Sequence, residues 1–272
     1  MSSCADALGA GGKRASRVVR FSGASPSLAN RRVFCRVPGM TRNFGSLLNE
    51  TTQFEAQRRD MVAQQLRKRG VRSECVLAAM STVPRQEFVP AQLSSMAYSD
   101  QALSIGEGQT ISQPYVVAAM AEALELQGHE RVLEIGAGSG YQAAVLSRLA
   151  REVITIEFLP QLAVAARERL ARLGFSNVHV EQGDGSLGWS GGAPYDAILV
   201  PAAAPQIPPP LLEQLLDGGC LLLPMGTIVE QNLIRVFKRG DSVVQETLFA
   251  CRFVPLRGRH GWPATSREMT QP

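Results

Sequence analysis

Cysteine is scarce in this chain, and its few copies follow neither a metal-binding nor a disulfide pattern. No two are spaced as CxxC and their number is odd: Cys4, Cys35, Cys75, Cys220 and Cys251. The sequence therefore predicts no disulfide framework and no metal site, and it favours a reducing compartment, the cytoplasm. Long apolar runs are also lacking, since none approaches the roughly 20 residues that cross a bilayer. We expect a soluble protein without a membrane partner.

Histidine occurs three times, at His129, His179 and His260. These positions fall in a predicted linker, a strand and a tail, so we interpret all three as structural or surface residues. Their scatter disfavours a hydrolase that depends on a histidine base.

Acidic residues are almost absent from the start of the chain. Residues 1–49 hold eight Lys or Arg against the single acid Asp6, a balance of +7, whereas the 20 basic and 23 acidic residues that follow give −3. The high pI belongs to this leader, and no nucleic-acid partner is predicted for the rest. The leader is rich in Ser, Ala, Gly and Arg and shows no periodicity, which predicts disorder. An Arg-rich, acid-poor leader is also typical of organelle import, which we keep as an alternative location.

Beyond residue 50, helical and strand patterns alternate. The predicted helices cover residues 54–68, 74–80, 116–126, 141–150, 159–173 and 209–216. After a first strand that begins at Val132, the predicted strands cover residues 152–157, 178–180, 195–200 and 220–223. This alternation predicts an α/β fold with a doubly wound, mostly parallel sheet. Residues 233–237 and 243–254 predict a hairpin at its edge. The first two helices either cover the edge of the sheet or shape the substrate site.

A glycine-rich loop follows the strand that begins at Val132 and carries the acid Glu134. The loop reads GxGxG and contains Gly136, Ala137, Gly138 and Gly140. Small residues allow a ligand to approach the backbone, and the following helix offers free amide groups. A dinucleotide fingerprint would need a glycine where Tyr141 stands, so a pyrophosphate is disfavoured. As an alternative, the loop is a tight turn that packs strand against helix.

Two further acids stand where predicted strands end. Glu157 follows the last glycine of the loop by seventeen residues, and its carboxylate can accept hydrogen bonds from both hydroxyls of a ribose. Asp184 lies between Gly183 and Gly185 and could accept the amino group of an adenine, although it could also bond its own turn. Ligands of open parallel sheets lie beyond the carboxyl ends of the strands, so these loops should converge. S-adenosylmethionine fits as cofactor, because it carries ribose and adenine but no phosphate.

The segment from Ile105 to Tyr115 is rich in hydroxyl and amide groups, and on composition alone it is a surface turn in which Ser112 caps the next helix. It is one of five motifs that follow in order between residues 54 and 257: Gly108 to Tyr115 (GQTISQPY), Val132 to Tyr141, Gly183 to Gly185, Ala193 to Ile198 and Arg252 to Leu256. Together they resemble the protein-L-isoaspartate O-methyltransferase family. The Gln-Thr-Ile-Ser-Gln-Pro stretch is highly specific to that family.

The resemblance implies a Rossmann-like, class I S-adenosylmethionine-dependent methyltransferase with N-terminal helices and a C-terminal edge hairpin. The implied reaction methylates the free carboxylate of L-isoaspartyl residues in damaged proteins; the ester closes to a succinimide, whose hydrolysis returns some L-aspartyl linkage. Ser112 corresponds to the active-site serine, and Thr110 and Ile111 are its implied substrate-binding neighbours. The implied partners are isoaspartyl-containing proteins and peptides, and we expect a monomer. Residues 252–256 could border the peptide groove or form a plain edge strand.

We expect three segments: a basic leader at 1–49, a methyltransferase domain at 50–258 and a C-terminal tail at 259–272. Two positions depart from the family's pattern, since Pro201 stands where Thr is usual and Ala137 where Thr is common. They bear on rate and substrate range more than on reaction type. Two alternatives are kept: methyl transfer to another acceptor, and a cofactor-binding adaptor without catalysis.

Overall fold

The computed structural model describes residues 48–262, with side chains from residue 53 onward. Almost all of the predicted leader and residues 263–272 of the predicted tail lie outside the described residues. The strands, in chain order, are β1 Leu103–Gly106, β2 Gln109–Ile111, β3 Arg131–Ile135, β4 Glu152–Glu157, β5 Val178–Gln182, β6 Tyr195–Leu199, β7 Leu215–Gly226, β8 Gln231–Arg239 and β9 Ser242–Cys251. The helices are α1 Leu48–Asp60, α2 Glu74–Thr82, α3 Pro114–Ala123, α4 Tyr141–Leu146, α5 Pro160–Arg172 and α6 Pro209–Gln214.

A seven-stranded sheet forms the centre of the fold, with the strand order β5-β4-β3-β6-β7-β8-β9. The first five strands in this order are parallel, and β8 and β9 pair antiparallel at one edge. The predicted mostly parallel α/β sheet and its edge hairpin are thus confirmed. Among the described helices, none is both long and apolar enough to span a membrane.

Helices cover both faces of the sheet, as a doubly wound fold requires. Successive residues of β3 point to opposite faces: Val132 belongs to the core that contains buried residues of α3, α4 and α5, whereas Leu133 belongs to a second core that contains Leu211 of α6. Both side chains are fully buried. A strand that is buried on two faces reads as a continuous apolar run, which is why the central strands were predictable from sequence.

The N-terminal helices cover the helical layer instead of lining the sheet edge. Helix α1 continues through tighter and wider turns to Arg69, and Gly70 ends it in the left-handed region at φ 101°. Ser73 is the N-cap residue of helix α2, and its side chain accepts a hydrogen bond from the amide of Val76. Buried residues of this region, such as Met61 and Met80, join the same core as α3 and α4.

The segment before α3 differs from a plain surface turn. Strands β1 and β2 form a short antiparallel hairpin, and its turn places Gly106, Glu107 and Gly108 at positive φ. The strands are too short to show the alternation that reveals longer ones. Helix α3 begins at Pro114 with Gln113 as its N-cap residue, and no side-chain hydrogen bond caps it. Ser112 is therefore not a helix cap, and its hydroxyl is available for another role.

The predicted final strand, 243–254, is too long, because β9 ends at Cys251. The chain then leaves the sheet edge and runs beside the loop after β6. There the Ala203 amide donates to the Val254 carbonyl at 2.8 Å, and the Leu256 amide donates to the Ala203 carbonyl at 2.8 Å. These bonds satisfy a backbone that the sheet no longer pairs.

Candidate active site

One cavity opens beyond the carboxyl ends of β3, β4 and β6, where ligands of parallel sheets bind. Five segments contribute to its wall: β2 with Ser112, the glycine loop, the residues that follow β4, the loop after β6, and the chain after β9. Seven of the predicted site residues lie on this wall: Thr110, Ile111, Ser112, Gly136, Ala137, Gly138 and Glu157. The structure therefore brings the segment that carries Ser112 to the glycine loop, although more than twenty residues separate them in sequence.

The glycine loop has a backbone that other residues rarely adopt. Gly136, Gly138 and Gly140 all have positive φ, at 105°, 52° and 88°. The amide of Gly136 donates to the Ile156 carbonyl at 2.7 Å, which ties the loop to the end of β4. The loop therefore presents a backbone without side chains at Gly136 and Gly138 to the cavity.

Glu157 holds the loop from the opposite side. Its carboxylate is buried, with 6% of the residue exposed. Oε2 accepts a hydrogen bond from the Gly138 amide at 2.8 Å, and Oε1 accepts one from the Leu159 amide at 3.0 Å. Because an ionised carboxylate offers about four acceptor sites, both oxygens keep capacity for a ligand diol.

Glu134 lies behind the wall instead of on it. The side chain is fully buried, and the Thr155 hydroxyl donates to its Oε2 at 2.5 Å. Its other oxygen has no hydrogen-bond partner among the described residues. Burial raises the pKa of Glu134 to about 8; the bond from Thr155 opposes this rise, and the charge of Glu157 adds to it. At neutral pH the residue is largely a neutral acid beneath the glycine loop.

Three more predicted cofactor residues also lie off the wall. A side chain at Gly140 would come within 3.1 Å of Leu170, and one at Gly185 within 2.5 Å of Ile135. Both glycines thus permit close packing, Gly140 between helices and Gly185 behind a wall residue. Asp184 accepts hydrogen bonds from the amide and hydroxyl of Ser186 at 2.9 and 2.6 Å. This arrangement matches its alternative interpretation as a turn acid.

The chain after β9 forms a C-terminal strap, which we define as residues 253–262. Its start is fixed by buried Gln231, whose Oε1 accepts from the Phe253 amide at 2.7 Å. Farther along, the Arg259 amide donates to Asp184 Oδ2 at 2.8 Å, and the Trp262 indole donates to the Ala203 carbonyl at 3.1 Å. The strap thereby places Val254, Pro255, Leu256 and Arg257 on the cavity wall.

Two wall residues, Gln142 and Phe158, were not predicted from the sequence. Gln142 is 8% exposed, and its Nε2 has no hydrogen-bond partner within residues 48–262. Phe158 remains 45% exposed, although it is a large aromatic residue. The sequence offered a signal for Phe158, because it directly follows Glu157. It offered none for Gln142, which belongs to no recognisable motif. Both departures from the family's pattern, Ala137 and Pro201, also lie on the wall.

The described histidines do not contribute to the cavity. The side chains of His129 and His179 are 75% and 52% exposed, and each lies 3.6 Å from a neighbouring glutamate. The backbone amide of His260 donates a hydrogen bond to the Ser186 hydroxyl at 3.0 Å. Burial raises the pKa of the wall residue Tyr141 to about 12, although Arg85 opposes this rise, so it stays a neutral phenol.

A doubly wound sheet with a glycine loop after β3 and an acid at the end of β4 is typical of class I S-adenosylmethionine-dependent methyltransferases, and the comparisons that follow show that this chain is such an enzyme. A family model described as Protein-L-isoaspartate(D-aspartate) O-methyltransferase (PCMT) matches residues 56–261. The chain belongs to this family, so the resemblance seen in its motifs is confirmed.

Individual proteins agree with this assignment. Protein-L-isoaspartate O-methyltransferase 1 of Rhodopseudomonas palustris is 54% identical over 222 residues, which span 81% of this chain and 91% of that one. A solved protein-L-isoaspartate O-methyltransferase has a TM-score of 0.69 and 31% identity, and covers 75% of this chain and 67% of its own. A Plasmodium falciparum structure described as a beta-aspartate methyltransferase (PCMT), in complex with S-adenosyl-L-homocysteine, shares the fold at a TM-score of 0.63 and 23% identity, over 74% of this chain and 98% of its own.

Proposed function

We propose that the cavity is where a methyl group passes from S-adenosylmethionine to the free carboxylate of L-isoaspartyl residues in damaged proteins, with Ser112 as the catalytic residue. The observation that carries this proposal is the meeting of Thr110, Ile111 and Ser112 with the glycine loop and Glu157 on one wall. A site for transfer needs the acceptor and the cofactor side by side, and this wall offers a surface for each.

The residues on one side of the cavity fit the cofactor. S-adenosylmethionine, when bound, supplies an electrophilic methyl group on a sulfonium. Glu157 keeps free acceptor sites for a ribose diol, and the exposed ring of Phe158 beside it suits a flat base. The loop from Gly136 to Gly138 leaves room for the methionine part, and the unpaired amide of Gln142 can donate to its carboxylate. We propose Glu134, Gly140, Asp184 and Gly185 as residues that support this surface from behind it.

The acceptor needs little chemical activation. A carboxylate has an unperturbed pKa of about 4, so at neutral pH it is already the nucleophile. The enzyme has mainly to hold one oxygen in line with the methyl group, which is catalysis by positioning. The Ser112 hydroxyl can donate one hydrogen bond to the carboxylate without neutralising it, as a tightly paired cation would. No histidine or cysteine is needed, and within the described residues none lies on the wall.

The product explains the repair. The methyl ester can expel methanol, whereas a free carboxylate would have to expel oxide or hydroxide, so the neighbouring backbone amide nitrogen can attack the ester carbonyl and close a succinimide with loss of methanol. Hydrolysis of the succinimide gives L-aspartyl or L-isoaspartyl linkages, and the latter can be methylated again. The substrates are accordingly damaged proteins and peptides, and we propose that the enzyme acts on them as a monomer in the cytoplasm.

The test uses radiolabelled S-adenosylmethionine with two peptides that differ only in an L-isoaspartyl or a normal aspartyl residue. Base-labile label should appear on the isoaspartyl peptide alone, and Ser112→Ala should lower the rate by about tenfold to a hundredfold, the effect of losing one positioned donor. Ser104→Ala serves as the control, because Ser104 is an exposed residue of the hairpin that directly precedes Ser112. If the wild type binds S-adenosyl-L-homocysteine but labels neither peptide, the acceptor is wrong; equal rates for Ser112→Ala and wild type would exclude the role of the serine.

A further inference from the structure

Arg85 is an arginine with no exposed surface, in the short helical turn Arg85–Phe88 after α2. Charged side chains are seldom fully buried unless an opposite charge pairs with them. Arg85 has no such pair, because no carboxylate of residues 48–262 lies within salt-bridge distance of it. A buried, unneutralised cation is costly, so its place in the fold calls for a reason.

The contacts of the guanidinium join the two halves of the active-site wall. Nη2 donates to the backbone carbonyl of Ser112 at 2.8 Å, and Nε donates to the carbonyl of Ala97 at 2.7 Å. The guanidinium carbon lies 4.8 Å from the centre of the Tyr141 ring. Tyr141 is the first residue after the glycine loop. Ser112 and Tyr141 both line the cavity. Arg85 therefore lies directly behind the serine and beside the cofactor loop.

The remaining nitrogen, Nη1, is buried and has no hydrogen-bond partner among the described residues. Within residues 48–262, the guanidinium bonds to two neutral carbonyls and lies against a neutral phenol ring. Burial lowers the pKa of Arg85, but an arginine keeps its proton in proteins. The positive charge is thus fixed and is not cancelled by its immediate neighbours. Such a charge acts over a longer distance inside a protein than in water.

We infer that Arg85 is a positioning residue for the acceptor, which fixes the backbone of Ser112 and draws the isoaspartyl carboxylate toward that serine by its uncancelled charge. This inference rests on the proposed function of the cavity. The two effects are separable: the charge favours binding of an anionic acceptor, whereas the bond to the Ser112 carbonyl sets the angle at which the hydroxyl is presented. The first should appear in KM for the peptide and the second in kcat.

Two substitutions separate these effects. Arg85→Met keeps the length of the side chain but removes charge and donors, and we expect kcat/KM for the isoaspartyl peptide to fall by about a hundredfold. Arg85→Lys keeps the charge but loses the planar fork, so its KM for the peptide should stay near that of the wild type while kcat falls by about tenfold. The affinity of both variants for S-adenosyl-L-homocysteine should stay within about threefold, since Arg85 is not on the cavity wall.

Arg67→Met is the matched control, because Arg67 forms an exposed pair with Glu74 and should leave all three constants unchanged. Circular dichroism and melting temperature report whether each variant folds. The inference is overturned if folded Arg85→Met keeps kcat/KM within about threefold, or if cofactor affinity falls as much as peptide turnover. Should Arg85→Met not fold, Arg85→Lys decides, and full kcat in that variant overturns the positioning role. An inactive wild type would instead refute the proposed function itself.

Discussion

The amide of Gly138 donates a 2.8 Å hydrogen bond to Glu157 Oε2, which joins the loop after β3 to the end of β4. One carboxylate thus both fixes the glycine loop and borders the cavity that the loop forms. A change at Glu157 should act on cofactor affinity through both effects.

We predict that Glu157→Gln weakens binding of S-adenosyl-L-homocysteine by about tenfold to a hundredfold, because an amide has one acceptor oxygen where the carboxylate has two. Isothermal titration calorimetry measures this affinity. Glu168→Gln is the matched control, since Glu168 is an exposed residue of α5. Equal affinities for the two variants would show that Glu157 does not contact the cofactor.

The raised pKa of Glu134, about 8, predicts a pH-dependent stability. Between the ordinary glutamate pKa and this value, the folded protein holds a proton that the unfolded chain releases. The contribution of Glu134 to the free energy of unfolding is therefore largest at low pH, and it decreases as the pH rises toward 8. Glu134→Gln cannot ionise, so it should lose less stability than the wild type over this window.

Urea unfolding at pH 5, 6.5 and 8 tests this expectation, with the difference in unfolding free energy between variant and wild type as the readout. The difference should shift in favour of Glu134→Gln as pH rises. A difference that stays constant over the three pH values would show that Glu134 titrates normally in the folded protein.

Gly185→Ala should destabilise the fold by about 1–3 kcal/mol, because the added methyl group would lie 2.5 Å from a side-chain carbon of Ile135. Ile135 lines the cavity, so cofactor affinity should also fall. Gly183→Ala is the control, since a methyl group there would meet Ile156 at an ordinary 3.9 Å. Melting temperatures compare the two, and equal loss would mean that Ile135 moves aside freely.

Trp262→Phe keeps an aromatic ring but removes the indole donor that reaches the Ala203 carbonyl. One net hydrogen bond contributes about 1 kcal/mol, so the C-terminal strap should open more often. We expect faster proteolysis within residues 253–262 and a higher KM for the isoaspartyl peptide. Trp189→Phe is the comparison, because Trp189 is the other tryptophan and lies outside the strap. Unchanged cleavage in Trp262→Phe would show that other bonds hold the strap.

The central sheet was predictable because its strands are buried on both faces, and runs such as Val153 to Ile156 in β4 have few other uses. Glu157 was predictable for a related reason, since the end of a parallel strand fixes where its side chain lies. The strands β1 and β2 were not predictable, because three or four residues cannot display a period.

Within the site, the roles of individual residues were harder to predict than their positions. Gly140 and Gly185 stand in the motifs of a cofactor loop, yet their missing side chains make room for Leu170 and Ile135. Sequence cannot separate a glycine that serves a ligand from one that serves packing. Arg85 escaped notice for the opposite reason, since a lone arginine reads as a surface residue until the fold encloses it.

The position of the C-terminal strap in the chain bears on the order in which the enzyme folds. The cavity draws on the β2 segment near the middle of the chain and on residues 254–257 close to its end. The strands β3 to β7 all precede the strap in the chain, so we expect the parallel part of the sheet to fold before this side of the cavity wall is complete. A chain cut before residue 253 should therefore lack residues 254–257 of the wall and fail to transfer methyl groups.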